Sequence, residues 1–174
     1  MEKDTEKQFE VFNSFAQQTN NFCWTLDKPE STMSLGSTLT KKFPDLSILL
    51  LNGPLGAGKT TLVKGIAKSL RIQEPITSPT FPLSQHYPLG SPPLIHLDLY
   101  RIEEQNAANE FFLQEEEESK AIGALMVVEW PERLSLPMPD AWRGKLEYSS
   151  ENQSRFFQLI PPLDNDNKLS ISSR

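Results

Sequence analysis

The chain has 174 residues, which is enough for one domain with a well-buried core and short of two ordinary domains. Its formal net charge of -6 excludes an overall basic surface of the kind that gives non-specific affinity for nucleic acids. Its one cysteine, Cys23, excludes an intramolecular disulfide, and no apolar run approaches the roughly 18 residues that span a bilayer. We expect a soluble, cytoplasmic protein with no secretory leader and no membrane contact.

Composition divides the chain into three regions. Residues 1–21 are mostly polar, but three phenylalanines are spaced three residues apart. This spacing predicts a helix with the aromatic rings on one face, which would dock on the domain or on a partner. A frayed extension is the alternative. We predict the folded domain at residues 22–162 and a polar, disordered tail at residues 163–174.

The folded region opens with a predicted strand, Phe22–Leu26, which Asp27 and Pro29 end. A helix follows, for which Ser31 or Thr32 is the predicted N-cap. A strand and a helix therefore precede the glycine-rich segment described next.

The most informative segment is Gly53-Pro54-Leu55-Gly56-Ala57-Gly58-Lys59-Thr60, in which two glycines frame a turn that ends in lysine and a hydroxyl residue. This pattern is typical of loops whose backbone N–H groups surround the phosphates of a nucleotide. Lys59 would lie along the β- and γ-phosphates, and the Thr60 hydroxyl would bind Mg²⁺. A glycine-rich turn without a ligand is the alternative.

The flanking sequence supports the nucleotide interpretation. An almost continuous apolar run, Leu46–Leu51, predicts a buried parallel strand before the loop, and an amphipathic helix is predicted to begin at Thr61. The predicted phosphate-contacting residues are Gly53, Leu55, Gly56, Ala57, Gly58, Lys59, Thr60 and Thr61.

A proline-rich segment, Glu74–Pro82, follows the helix and cannot itself be helical. It lies where a nucleotide-sensing switch belongs in a triphosphate enzyme. Thr80 or Ser78 could reach the γ-phosphate or its Mg²⁺ through a side-chain oxygen. A proline-ordered turn is the equally weighted alternative.

Apolar and polar residues alternate along the segment 94–101, which predicts a strand. Its two faces carry, respectively, Ile95, Leu97 and Leu99, and His96, Asp98 and Tyr100. An ionised carboxylate on a buried strand needs a cation, so Asp98 is a candidate to hold Mg²⁺ directly or through water. For His96 we favour an orienting hydrogen bond in the core over catalysis.

After a predicted acidic helix, Asn109–Lys120, the run 121–128 predicts a second buried strand that ends in Glu129. Carboxylates at this end of parallel strands meet ligands, so Glu129 would bind the metal or orient the attacking water. Trp130 would pack near the nucleotide base, or in the core. Two short strands, at residues 145–148 and 155–160, predict a hairpin that extends the sheet antiparallel.

Four blocks, at residues 53–61, 77–81, 96–101 and 129–132, together closely resemble the TsaE (YjeE) family of bacteria. The resemblance implies an α/β fold of the P-loop NTPase type, a three-layer sandwich with a mainly parallel central sheet and an antiparallel extension. It also implies a slow, Mg²⁺-dependent ATPase of tRNA threonylcarbamoyladenosine biosynthesis. Such a protein works with TsaB and TsaD and meets tRNA indirectly, through that complex.

The same resemblance implies roles for individual residues. Lys59 and Thr60 match the phosphate and Mg²⁺ positions, Thr80 the switch threonine, Asp98 the motif aspartate, Glu129 the metal-associated glutamate and Trp130 its aromatic neighbour. We therefore predict catalytic roles for Lys59, Asp98 and Glu129. Two other functions stay open: a small-molecule P-loop kinase, and an ATP-sensing binding module in which turnover is incidental.

Overall fold

The computed structural model describes residues 22–79, 83–149 and 154–162. In chain order the elements are β1 (Phe22–Leu26), α1 (Pro29–Lys42), β2 (Ile48–Asn52), α2 (Lys59–Ser69), β3 (Ser84–Tyr87), β4 (Leu94–Asp98), α3 (Gln105–Ile122), β5 (Leu125–Glu129), a 3-10 turn (Pro131–Arg133), β6 (Trp142–Tyr148) and β7 (Arg155–Ile160). The predicted extension at residues 1–21 and tail at residues 163–174 lie outside the described residues.

All seven strands form one sheet in the order β1-β7-β6-β2-β5-β4-β3. Its centre is parallel: β2 pairs with both β5 and β6, and β4 pairs with β5 in the same direction. Strand β3 is antiparallel to β4 at one edge. Toward the other edge, β7 pairs antiparallel with β6, and β1 pairs antiparallel with β7. The predicted mainly parallel sheet with an antiparallel extension is confirmed.

Two apolar clusters cover the faces of the sheet. One joins α1 and α2 to residues such as Leu49 and Leu51 of β2. The other joins Phe112 of α3 to Leu50 and to Met126 of β5. Successive β2 residues thus point to opposite clusters, which is why the central strand is apolar throughout. The result is the predicted three-layer α/β sandwich.

Helices α1 and α2 touch through glycines. A Cβ added to Gly36 would lie 2.2 Å from the Leu62 carbonyl oxygen, and one added to Gly65 would lie 1.9 Å from that of Met33. The Ser37 hydroxyl also donates a hydrogen bond of 2.7 Å to the Gly65 carbonyl oxygen. Backbone therefore packs on backbone, and α1 fixes the helix that follows the glycine-rich loop.

The predicted start of α1 was wrong. The helix begins at Pro29, and Lys28 occupies the N-cap position without a side-chain cap. Proline suits the first helical position because its fixed φ is already helical and its missing N–H is not needed there. Ser31, one of the two predicted caps, lies inside the first turn and donates a hydrogen bond to the Asp27 carboxylate.

The boundary between α3 and β5 also differs from the prediction of a strand at 121–128. The helix continues to Ile122, and Gly123 ends it with φ 64°. The Ala124 N–H then donates to the Ser119 carbonyl oxygen at 2.9 Å, which closes the last turn. Strand β5 begins only at Leu125. Within the described residues, no helix combines the length and apolarity needed to cross a membrane.

Candidate functional site

The glycine-rich loop connects the carboxyl end of β2 to the first turn of α2, and its glycines have positive φ angles. These are 149° at Gly53, 76° at Gly56 and 106° at Gly58. A Cβ on Gly53 would lie 2.5 Å from the carbonyl oxygen of Leu146, so the loop also packs too closely on β6 for any side chain there. Helix α2 begins at Lys59, two residues before the predicted start.

Lys59 is almost buried, with 5% of its surface exposed. Its ammonium donates to the carbonyl oxygens of Gly53 at 2.6 Å and Pro54 at 3.1 Å, and lies 4.1 Å from the Trp130 ring centroid. Burial lowers the pKa of Lys59, and the nearby carboxylates, led by Glu129, partly oppose that shift. The loop therefore surrounds a desolvated cation.

Glu129 ends β5 and connects two predicted site residues. Its Oε1 accepts a hydrogen bond of 2.9 Å from the Thr60 hydroxyl and lies 3.0 Å from Nε2 of His96. The histidine is fully buried. The predicted orienting role of His96 agrees with this contact, because the ring fixes the carboxylate from the neighbouring strand β4.

Asp98 lies beside Glu129, its register partner across the parallel pair of β4 and β5. Its carboxylate accepts hydrogen bonds from the Ser78 hydroxyl at 2.7 Å and from the backbone N–H of Tyr100 at 3.0 Å. Ser78 belongs to the proline-rich segment, which is thereby linked to the end of β4. Thr80, the predicted switch residue, lies outside the described residues.

Trp130 follows Glu129 directly and has a φ of 59°, which is uncommon for a side chain of this size. The turn carries its indole back over Lys59 and against Tyr100, whose ring centroid is 4.7 Å away. Trp130 thus forms one wall of the site. Packing against a nucleotide base stays a prediction.

These groups surround a cleft of about 420 Å³. Of the predicted residues, its lining contains Leu55, Gly56, Gly58, Lys59, Thr60, Thr61, Ser78, Asp98, Glu129 and Trp130. Two others stand behind it: Gly53 contributes a carbonyl oxygen to Lys59, and Ala57 is fully buried.

The structure adds two residues to which the sequence analysis assigned no role in the site. Tyr100 and Arg101 both line the cleft. The predicted alternation along residues 94–101 already gave a signal for Tyr100, because it assigned Tyr100 to the same face as Asp98. It gave no such signal for Arg101. Both residues follow the end of β4 at Asp98, where alternation no longer predicts orientation.

Comparison with known proteins identifies the family. A family model described as "Threonylcarbamoyl adenosine biosynthesis protein TsaE" matches residues 26–157. The chain belongs to the TsaE family. The resemblance inferred from the four sequence blocks is therefore confirmed.

Individual relatives agree. The chain is 47% identical over 132 residues to a "tRNA threonylcarbamoyladenosine biosynthesis protein TsaE" from Nostoc sp., covering 76% of this chain and 81% of that one. Similar proteins of the same name from Mycobacterium bovis and Synechocystis sp. are each 42% identical, with 64% and 66% of this chain and 69% and 73% of theirs covered. The family takes part in threonylcarbamoyladenosine biosynthesis on tRNA.

A solved structure supports the fold. The crystal structure of Bacillus subtilus YdiB matches with a TM-score of 0.60 at 23% identity, covering 87% of this chain and 93% of that one. At this identity the likeness concerns the architecture alone. Assignment of residues to roles rests on the contacts described above.

Proposed function

We propose that this chain is a Mg²⁺-dependent ATPase that supports tRNA threonylcarbamoyladenosine biosynthesis, acting with TsaB and TsaD to sustain their turnover. The observation that carries the proposal is the hydrogen bond between the Thr60 hydroxyl and the Glu129 carboxylate at the end of the glycine-rich loop. It brings together, from distant parts of the chain, the hydroxyl and the carboxylate expected of a metal–triphosphate site.

The residues fit Mg²⁺. Thr60, Asp98 and Glu129 offer only hard oxygen ligands, which this cation prefers. Asp98 is 7% exposed and Glu129 is 3% exposed, and they sit side by side on neighbouring strands. Two nearly buried carboxylates are costly unless cations share their charge, so a divalent ion suits the pair. When bound, it would neutralise charge on the β- and γ-phosphates.

The remaining groups of the cleft suit a triphosphate. The positive end of α2 and the N–H groups of the loop attract phosphate oxygens, and Lys59 adds a full charge. Lys59 now donates to carbonyl oxygens of its own loop, and phosphate oxygens would replace these acceptors. Thr60 and Glu129 would hold the metal, and Asp98 would hold it from β4, directly or through water.

Membership of the TsaE family supports the pathway and, with it, a cytoplasmic location where tRNA is modified. The resemblance of the four sequence blocks to the family implies TsaB and TsaD as the partners. We infer that the chain meets tRNA through these partners, because a net charge of -6 gives it little affinity of its own for a polyanion.

The test is phosphate release from Mg-ATP by the purified chain, first alone and then with TsaB, TsaD and tRNA added in turn. We expect slow hydrolysis alone and an altered rate with the partners. Lys59→Ala, which removes the buried ammonium, serves as the control and should abolish both nucleotide binding and tRNA modification. A rate of ATP consumption that does not change with the partners and that depends on a small acceptor molecule would support a kinase instead. Partner regulation by ATP binding without turnover would support a sensing module.

A further inference from the structure

A tyrosine outside the cleft contacts the glycine-rich loop. Tyr148 is the last residue of β6, the strand that runs parallel to β2 on the side away from β5. Its hydroxyl donates a hydrogen bond of 2.9 Å to the carbonyl oxygen of Leu55. The same hydroxyl would lie 3.0 Å from a Cβ added to Gly56. The carboxyl end of β6 thus supports the loop from outside.

The hydrogen bond from Tyr148 also orients the N–H of Gly56, on the other side of the Leu55–Gly56 peptide. In a trans peptide the carbonyl and the following N–H point in opposite directions, because the bond is planar. The Leu55 carbonyl is directed outward to Tyr148, so the Gly56 N–H is directed away from it. Leu55 and Gly56 both line the cleft. Turning this N–H away from Tyr148 would therefore direct it toward the space where phosphates would bind.

The orientation of this peptide needs an external restraint. Glycine at position 56 allows the peptide to rotate at little steric cost, since it populates positive and negative φ about equally well. Leu55 is 72% exposed and its side chain therefore gives the turn little anchorage. The Tyr148 hydroxyl provides a fixed partner for the carbonyl, on a rigid strand.

The rest of Tyr148 contributes little to the core. The residue is 52% exposed, and its ring lies 5.7 Å from the guanidinium carbon of Arg155, its register partner on β7. A half-exposed tyrosine that reaches back to a loop carbonyl is better explained by its hydroxyl than by burial of its ring.

We propose that Tyr148 is a positioning residue for nucleotide binding: it holds the Leu55–Gly56 peptide with the Gly56 N–H directed at the phosphates. This inference rests on the proposed ATPase function. It assigns a role to β6, which none of the four sequence blocks includes.

The test is Tyr148→Phe, which removes the hydroxyl and keeps the ring. Loss of one hydrogen bond that orients the loop should weaken binding of a fluorescent ATP analogue by about three- to tenfold. KM for Mg-ATP should rise to a similar extent, while kcat at saturation stays within about twofold, because the reacting groups lie on β4, β5 and α2. The matched control is Tyr87→Phe. It removes a hydroxyl that donates a hydrogen bond to the Gln85 side chain on the edge strand β3, on the other side of the sheet centre from β6.

A thermal measurement separates positioning from support of the fold. Without nucleotide, Tyr148→Phe should melt at the wild-type temperature, and the increase in melting temperature on adding ATP should be smaller. A lower melting temperature with an undiminished increase would make Tyr148 structural and overturn the inference. So would wild-type affinity in Tyr148→Phe, or equal weakening in Tyr87→Phe. Wild-type protein that binds no nucleotide would overturn the proposed function, and this inference with it.

Discussion

Replacing Glu129 by glutamine tests the metal site most directly. The amide keeps the shape of the side chain and an acceptor oxygen for the Thr60 hydroxyl, which lies 2.9 Å from the carboxylate in the structure. The fold should survive, because two hydrogen bonds to a charged acceptor become weaker ones to a neutral oxygen. We expect a cost of about 1 kcal/mol in unfolding free energy, or about 2–4 °C in melting temperature.

Turnover should fall much further than stability. Glutamine removes a negative charge from a site that is 3% exposed, next to the hydroxyl expected to share the metal. Losing one group that stabilises transition-state charge costs on the order of 10²–10³ in kcat, or about 3–4 kcal/mol. Binding of a fluorescent ATP analogue in EDTA should change little, and Mg²⁺ should no longer strengthen it.

The assay is single-turnover phosphate release, with Glu132→Gln as the matched control. Glu132, like Glu129, attracts the ammonium of Lys59 electrostatically. Its carboxylate, however, accepts a hydrogen bond of 2.9 Å from Asn52 and not from Thr60. The control makes the same change in net charge without touching Thr60, and we expect it to stay within about threefold of wild type. The reasoning is refuted if Glu129→Gln keeps more than about a tenth of wild-type turnover, or if the control loses as much.

Four further outcomes are expected. Because burial lowers the pKa of Lys59 and phosphates bind the protonated amine, calorimetry should find ATP affinity falling as pH rises through the lowered pKa. Over the window from that pKa to the ordinary one, the unfolding free energy should instead rise with pH, since the unfolded state binds more protons. Gly65→Ala should lower the free energy of urea unfolding by at least about 2 kcal/mol, because its Cβ would clash with the Met33 carbonyl oxygen. Gly123→Ala is the control: its positive φ strains an alanine but no atom lies close to the new Cβ, so the loss should be about 1 kcal/mol. Ser78→Ala, which deprives Asp98 of a donor, should lower turnover several-fold while leaving ATP binding intact.

The parts of the fold that the sequence predicted well are those with a strong local signal. The apolar strand β2, the glycine-rich loop and α2 follow one another within about 25 residues, and each has its own periodicity or turn chemistry. The alternation along β4 correctly put His96 and Asp98 on one face. Glu129 was placed at the end of a buried strand, although the start of that strand was misjudged.

The errors and omissions have a common physical origin. Pro29 and Gly123 each act as a boundary, and whether such a residue begins an element or ends one depends on contacts beyond its neighbours in sequence. The bond from Tyr148 to Leu55 joins residues 93 positions apart. No hydrophobic period reports such a contact, because it depends on β6 lying next to β2 in the sheet. The support that β6 gives to the glycine-rich loop therefore became visible only with the topology.

The position of Trp130 gives the chain an optical property. Three tryptophans are present, and two of them are remote from the cleft: Trp24 packs against Phe157, and Trp142 packs against Phe43. Only the indole of Trp130 lies over the ammonium of Lys59. Any ligand that draws this cation away from the ring changes the electric field at a single chromophore, while the other two emit as a constant background. Intrinsic fluorescence can therefore report occupancy of the cleft in unlabelled protein, and Trp130→Phe provides the blank.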